Sequence, residues 1–252
     1  MFSTRRAVGN SLTRLRAGPL SLRAQTFASR HTPKYTGRKQ SKGKHAQKGK
    51  SASSSRWLER QQLDPYVVLA EERGYRSRAA FKLISINKKF KLLKSGMKVL
   101  DLGCAPGSWS VIVKEKVKTG RIVGIDLLEM ESIPGVEFLH GDFEDEKVSI
   151  ELSNMLAGPA DCVLSDMAPN LTGLKDVDAS RMLNLHSSIL KFLPKHLAPG
   201  GSFVSKIFRG QYDKEMIGST KVLFDVMRIE KPQASRQDSR EIYIVGKGFK
   251  GM

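Results

Sequence analysis

A lysine stands inside an apolar strand pattern at Val204-Ser205-Lys206-Ile207-Phe208. An ammonium group is costly to bury alone. Lys206 therefore needs a carboxylate partner, a chemical task, or an escape to solvent by snorkelling from the strand end. Two carboxylates are placed to meet it. Asp166 follows an apolar strand in Leu164-Ser165-Asp166-Met167-Ala168-Pro169-Asn170, and Glu241 opens Ser239-Arg240-Glu241-Ile242-Tyr243-Ile244-Val245. If that last strand runs antiparallel, its start lies at the sheet edge where the other two end. Asp166, Lys206 and Glu241 then converge. Lys82, in Ser77-Arg78-Ala79-Ala80-Phe81-Lys82-Leu83, precedes the first strand; taken alone it reads as a solvated helix lysine. Lysines set among carboxylates can orient a hydroxyl group and accept its proton.

A second constellation is a glycine loop, Asp101-Leu102-Gly103-Cys104-Ala105-Pro106-Gly107-Ser108-Trp109, running from a strand into a helix. Glycines admit a ligand where a side chain would clash, and the helix start is electropositive. The spacing is not that of a dinucleotide-binding dehydrogenase, because Gly103 and Gly107 are four apart with Pro106 between them. The next strand ends in Asp126, whose carboxylate can accept both hydroxyls of an adenosine ribose. Gly141-Asp142-Phe143 ends a third strand and offers an acceptor for an adenine amino group and an aromatic face for its ring. Asp126 alone would serve NAD equally well, and Asp142 alone reads as a turn residue. Together the three strand ends and the loop favour S-adenosylmethionine.

The elements that must position these groups alternate. Helices are predicted over 64–73 and 77–90, with Ser77 capping the second. Strands follow at Lys98–Leu102, Arg121–Leu127, Val136–Leu139, Ala160–Ser165 and Ser202–Phe208, the last after a Pro199-Gly200-Gly201 turn. Helices separate them at Ser108–Lys118, 145–156, within 176–197 and at 213–224. Strands near 226–231 and 241–246 close the chain. Such alternation implies an α/β fold, a Rossmann-like, mainly parallel sheet with helices on both faces; an antiparallel last strand is expected with it. Ligands then sit at the carboxyl ends of the strands, near the switch in strand order.

The formal charge of +18 is unevenly placed. Residues 1–58 hold 14 Lys and Arg and no acid, leaving 29 basic and 25 acidic residues in the remainder. Residues 1–30 carry arginines without lysine amid Ser, Thr, Ala and Leu, the style of a mitochondrial transit segment. Residues 31–56 turn to Lys, Gly, Ser and Gln, lack the apolar content to fold alone, and read as a basic arm that touches nucleic acid, with Lys39, Lys42 and Lys44 as contacts. A folded domain is expected over 57–252. No apolar run approaches the roughly 18 residues of a membrane span. Cys104 and Cys162, the only cysteines, fit neither a disulfide framework nor a metal site; two free thiols in a reducing compartment and no metal are expected.

These motifs resemble the FtsJ/RrmJ family of ribose 2′-O-methyltransferases over roughly residues 57–250. They are Arg76-Ser77-Arg78-Ala79 through Phe81-Lys82-Leu83, the loop 101–109, Gly141-Asp142-Phe143, Ser165 through Asn170, Lys206, and Ser239-Arg240-Glu241 through Tyr243. The resemblance places a catalytic tetrad on Lys82, Asp166, Lys206 and Glu241. It places S-adenosylmethionine contacts on Gly103, Pro106, Gly107, Trp109, Asp126, Asp142, Phe143 and Asp166. Arg76 and Arg78 become candidate RNA contacts. Ala80 stands where bacterial members often carry Trp, which marks a different RNA contact, and Ser108 replaces a common Gly.

In this reading Lys206 orients the ribose hydroxyl or takes its proton. A free lysine, with a pKa near 10.4, is mostly charged at neutral pH; the positive charges of Lys82 and the sulfonium oppose that protonation, whereas Asp166 and Glu241 favour it. Lys82 and Glu241 position the ribose, and Asp166 links cofactor and lysines. The resemblance and the import-like segment imply a mitochondrial matrix enzyme, monomeric, acting on a uridine in the A-loop of large-subunit ribosomal RNA or on the assembling large subunit. A transfer-RNA anticodon-loop methyltransferase and a non-catalytic ribosome-assembly factor are the alternatives.

Overall fold

The computed structural model describes residues 64–251. The expected transit segment, the basic arm with Lys39, Lys42 and Lys44, and the start of the domain at Trp57 lie outside the described residues. Helix α1 (Pro65–Arg73) begins with Asp64, whose side chain accepts the Tyr66 N–H, and with proline in the first turn. This is the arrangement that satisfies otherwise orphaned amides. Helix α2 spans Ala80–Phe90. It starts three residues later than predicted, since Ser77 Oγ accepts the Ala79 N–H in the turn before the helix instead of capping it.

Strand β1 (Val99–Leu102), helix α3 (Ser108–Val117), strands β2 (Ile122–Asp126) and β3 (Glu137–His140), helix α4 (Glu146–Leu156) and strand β4 (Ala160–Ser165) follow. Helix α5 (Lys175–His196), strand β5 (Leu197–Phe208), helix α6 (Asp213–Leu223) and strands β6 (Phe224–Glu230) and β7 (Glu241–Phe249) complete the fold. β5 begins earlier than predicted. Leu197 already pairs with Ala160, and the register then shifts by the time Ser202 meets Cys162.

The strands form one sheet in the order β3-β2-β1-β4-β5-β7-β6. β7 alone runs against its neighbours, pairing antiparallel with both β5 and β6. Strand side chains alternate between faces, and this divides the core. Leu100, Leu102, Val163 and Phe203 pack on α4 and α5, whereas Val99, Cys162, Leu164 and Val204 pack on α2 and α3. Each fully buried Leu, Val or Phe removes enough apolar area to contribute about 1.5–3 kcal/mol. Two such layers hold the strand ends at fixed spacing. The order reverses between β1 and β4, so the residues that follow them, Gly103 and Asp166, flank the crevice where ligands bind in open α/β sheets.

Candidate active site

The glycine loop leaves β1 through Gly103, which has φ 70°; a Cβ there would lie 2.1 Å from Cγ of Met167. Asp126 at the end of β2 braces the loop: its carboxylate accepts the Ala105 N–H at 2.8 Å and the Leu128 N–H at 2.9 Å. A cleft of about 530 Å³ opens beside it, lined by Gly103, Ala105, Asp126, Asp142, Asp166 and Met167 among others. A smaller lobe of about 110 Å³ lies across the loop and includes Asp101, Pro106, Ser108 and Trp109. The two lobes share Gly103, Ala105 and Asp166.

The expected cofactor residues gather here, some in altered roles. Asp142 lines the cleft, and one of its oxygens also accepts the Glu144 N–H at 2.9 Å. Phe143 reaches the cleft, but it is a core residue, set edge-on to Phe192 with ring centroids 5.5 Å apart. Trp109 is likewise 3% exposed; its indole N–H donates to Ala79 O at 3.0 Å and its ring packs on Tyr243. Both aromatics are expected at the ligand, whereas apolar burial holds most of each in the core. It did not single out Leu127, Leu128 and Leu185, which complete the wall. No spacing signal marks them, because they reach the cleft from a loop and from α5.

Asp101 is a further buried group. It accepts the Ser110 hydroxyl at 2.6 Å. Burial pushes its carboxyl up to about 7, the Ser110 hydrogen bond opposes this, and the negative charges of Asp166 and Asp126 add to it.

The four tetrad residues meet as two ion pairs, which adjoin the cleft through Asp166. Lys82 Nζ lies 2.8 Å from Glu241 Oε2, and Lys206 Nζ lies 3.1 Å from Asp166 Oδ1. All four side chains are 11–18% exposed. The antiparallel register explains the meeting: Lys206 stands opposite Tyr243, and Phe208 opposite Glu241. Lys206 also donates to Asp166 O. Tyr243 joins the two pairs. Its hydroxyl donates to Asp166 Oδ1 at 2.7 Å, and Lys82 Nζ sits 5.9 Å from the centre of its ring. Burial, with the charges of Asp166 and Glu241, raises the Tyr243 phenol well above its ordinary value, so it remains a donor. In the sequence Tyr243 is only one member of a motif; on the sheet it pairs with Lys206 on the neighbouring strand and points to the same face.

The candidate RNA contacts fare differently. Arg78 pairs with Asp64 and donates to Ala234 O, so its guanidinium locks the chain around α1. Arg76 donates to Pro106 O, Glu131 O and Ser132 O. Both arginines are committed to contacts within the chain, because carbonyl and carboxylate acceptors crowd the turn before α2. Ala80 is wholly buried in the core and offers no RNA contact. Cys104 and Cys162 are buried free thiols, both pushed up by burial. Among the described residues no cluster of His, Cys, Asp and Glu could hold a metal ion, and no helix is long and apolar enough to cross a membrane.

The model of the FtsJ-like methyltransferase family matches residues 75–249. The chain belongs to that family. An enzyme of Acidiphilium cryptum named ribosomal RNA large subunit methyltransferase E is 50% identical over 79% of this chain and 88% of its own length. Its namesake in Novosphingobium aromaticivorans is 48% identical over 81% of this chain and 92% of its own. Among solved structures, a putative ribosomal RNA methyltransferase of Plasmodium falciparum superposes with a TM-score of 0.65 at 34% identity, covering 71% of this chain and all of that one. The chain is thus a methyltransferase with S-adenosylmethionine as its donor.

The cleft fits that donor. Gly103 and Asp166 line both of its lobes, and Asp126 and Asp142 present acceptors at two strand ends. When bound, S-adenosylmethionine supplies a methyl group on a positively charged sulfur. The residues of this chain can do the rest. Asp126 and Asp142 hold polar groups by hydrogen bonds. Asp166, lining both lobes, fixes Lys206 at the cleft mouth with help from Tyr243. Lys206 Nζ there can orient an acceptor hydroxyl and, in its neutral form, take the proton. Lys82 and Glu241 bind each other first, so they present a hydrogen-bonding pair to the acceptor rather than two separate charges.

Proposed function

We propose that the protein methylates the 2′-hydroxyl of a uridine in the A-loop of mitochondrial large-subunit ribosomal RNA. In this reading it acts in the matrix as a monomer and supports assembly of the large subunit. The observation that carries the reading is the two lysine–carboxylate pairs, Lys82–Glu241 and Lys206–Asp166, joined to the donor cleft through Asp166. A ribose hydroxyl is a weak acid and a poor nucleophile, so it gains most from positioning and from a group able to receive its proton. The ribosomal target is supported by the names of the bacterial relatives. The organelle is supported by residues 1–30, rich in arginine and free of acids.

The deciding experiment maps ribose methylation in organellar and cytosolic RNA after depletion. Loss of one 2′-O-methyl mark in mitochondrial large-subunit RNA is the expected result. Loss from a transfer-RNA anticodon loop would replace this target. Unchanged methylation with stalled subunits would leave an assembly factor. A reporter fused to residues 1–30 should enter mitochondria; a cytosolic reporter removes the import assignment. The eight Lys and Arg of residues 31–56 should strengthen RNA binding through counterion release. Deleting them should flatten the salt dependence of RNA affinity and leave donor affinity intact, whereas an unaltered slope would reduce them to a linker.

A further inference from the structure

Three main-chain carbonyls converge on one guanidinium beside the glycine loop. Arg76 Nη1 donates to Pro106 O at 2.6 Å and to Glu131 O at 2.8 Å, and Nη2 donates to Ser132 O at 3.1 Å. These acceptors belong to two different walls. Pro106 sits in the glycine loop between β1 and α3. Glu131 and Ser132 sit in the segment between β2 and β3, whose first residues, Leu127 and Leu128, line the cleft.

The loop is shaped to admit the arginine. Gly107 has φ 97°, and a Cβ there would lie 2.9 Å from Arg76 Nη1 and 2.7 Å from Ile133 Cδ1. The same turn grips the loop twice more: Ser77 Oγ and Ser108 Oγ are 2.7 Å apart, and the Trp109 indole N–H reaches Ala79 O. Lys82 follows on the helix that this turn begins. The guanidinium serves the three carbonyls from two nitrogens held in one plane; a lysine ammonium has three donors but only one nitrogen, on a flexible stem.

We propose that Arg76 is a positioning residue of the donor cleft. It holds the glycine loop and the β2–β3 segment at the separation S-adenosylmethionine needs, and its guanidinium is not an RNA-phosphate contact. The inference rests on the assignment of the donor and is independent of which RNA is methylated. It assigns to the cofactor a residue whose charge suggests the other substrate.

The test compares Arg76→Gln and Arg76→Lys with the unsubstituted enzyme in three measurements. They are calorimetric affinity for S-adenosylmethionine, kcat and KM with each substrate, and RNA affinity across a salt series. Charge-assisted hydrogen bonds are lost, so Kd and KM for the donor should rise about tenfold to a hundredfold in Arg76→Gln. At saturating donor, kcat should return close to that of the unsubstituted enzyme. Arg76→Lys should recover only part of the loss. The salt slope of RNA binding should not move. Unchanged donor affinity, or a weaker RNA complex with a flatter salt slope, would overturn the proposal. Should Arg76→Gln fold poorly, the donor KM of Arg76→Lys decides. Failure of the unsubstituted chain to bind S-adenosylmethionine would instead defeat the donor assignment itself.

Discussion

At the donor end of the crevice, Gly103 and Gly107 hold left-handed backbone, and Asp126 ties two loops by their amides. At the acceptor end, lysines and carboxylates reach one another by side chains from α2, β5, β7 and the residue after β4. The first region is a shape made by a contiguous loop and its braces. The second is a charge arrangement made by residues up to 159 positions apart. Loosening the first should grade the affinity of a ligand. Removing a member of the second should remove a chemical step.

The largest effect expected from that contrast follows Lys206→Ala. Methyl transfer should fall by about 10²–10⁴-fold, the range a positioned proton acceptor supplies, while calorimetry finds donor binding largely retained. Near-normal turnover in a folded variant would end the tetrad assignment. Asp126→Ala probes the opposite region and should weaken S-adenosylmethionine by about tenfold to a hundredfold. An unchanged donor Kd would mean that the strand-two carboxylate braces loops without facing the ligand. Tyr243→Phe sharpens the comparison, since it removes one hydroxyl from the carboxylate that both regions share. We expect kcat to drop by about tenfold with donor affinity preserved; a loss confined to donor affinity would move Tyr243 to the other region.

The smallest effect is a shift of thermal midpoint with pH. Asp101, raised to about 7 by burial, contributes stability that is full below its ordinary value and lost as pH rises through 7. His186 and His196, both lowered to about 4 by burial, contribute stability present above 6.5 and lost as pH falls toward 4. Between pH 5 and pH 8 the unsubstituted chain should lose a few degrees relative to Asp101→Asn, at roughly 2–4 °C per kcal/mol for a domain of this size. Parallel melting curves for the two proteins would show that Asp101 is not held protonated.

Much of the fold was legible because apolar runs and turn residues are local. The alternation of strands and helices and the glycine loop follow from patterns within a few tens of residues, whereas the antiparallel course of the last strand is settled by its pairing with β5 and β6. Element ends were less legible. Leu197 joins β5 before the Pro199-Gly200-Gly201 turn because it finds a partner in Ala160 on another strand, and no local pattern announces that pairing.

The sequence by itself singled out the residues able to carry chemistry: Lys206 in an apolar strand, carboxylates at strand ends, glycines in the loop after the first strand. Burial costs and backbone sterics apply to each residue separately, so type and spacing suffice to find them. Tertiary structure alone decided the partnerships. It paired Lys82 with Glu241 and Lys206 with Asp166, put Tyr243 between them, turned Phe143 and Trp109 largely into the core, and drew Arg76 and Arg78 inward. A long cationic side chain takes whichever acceptors the fold brings within reach. For Arg76 those acceptors were main-chain carbonyls 30 to 56 residues away, which carry no side-chain signature in a sequence.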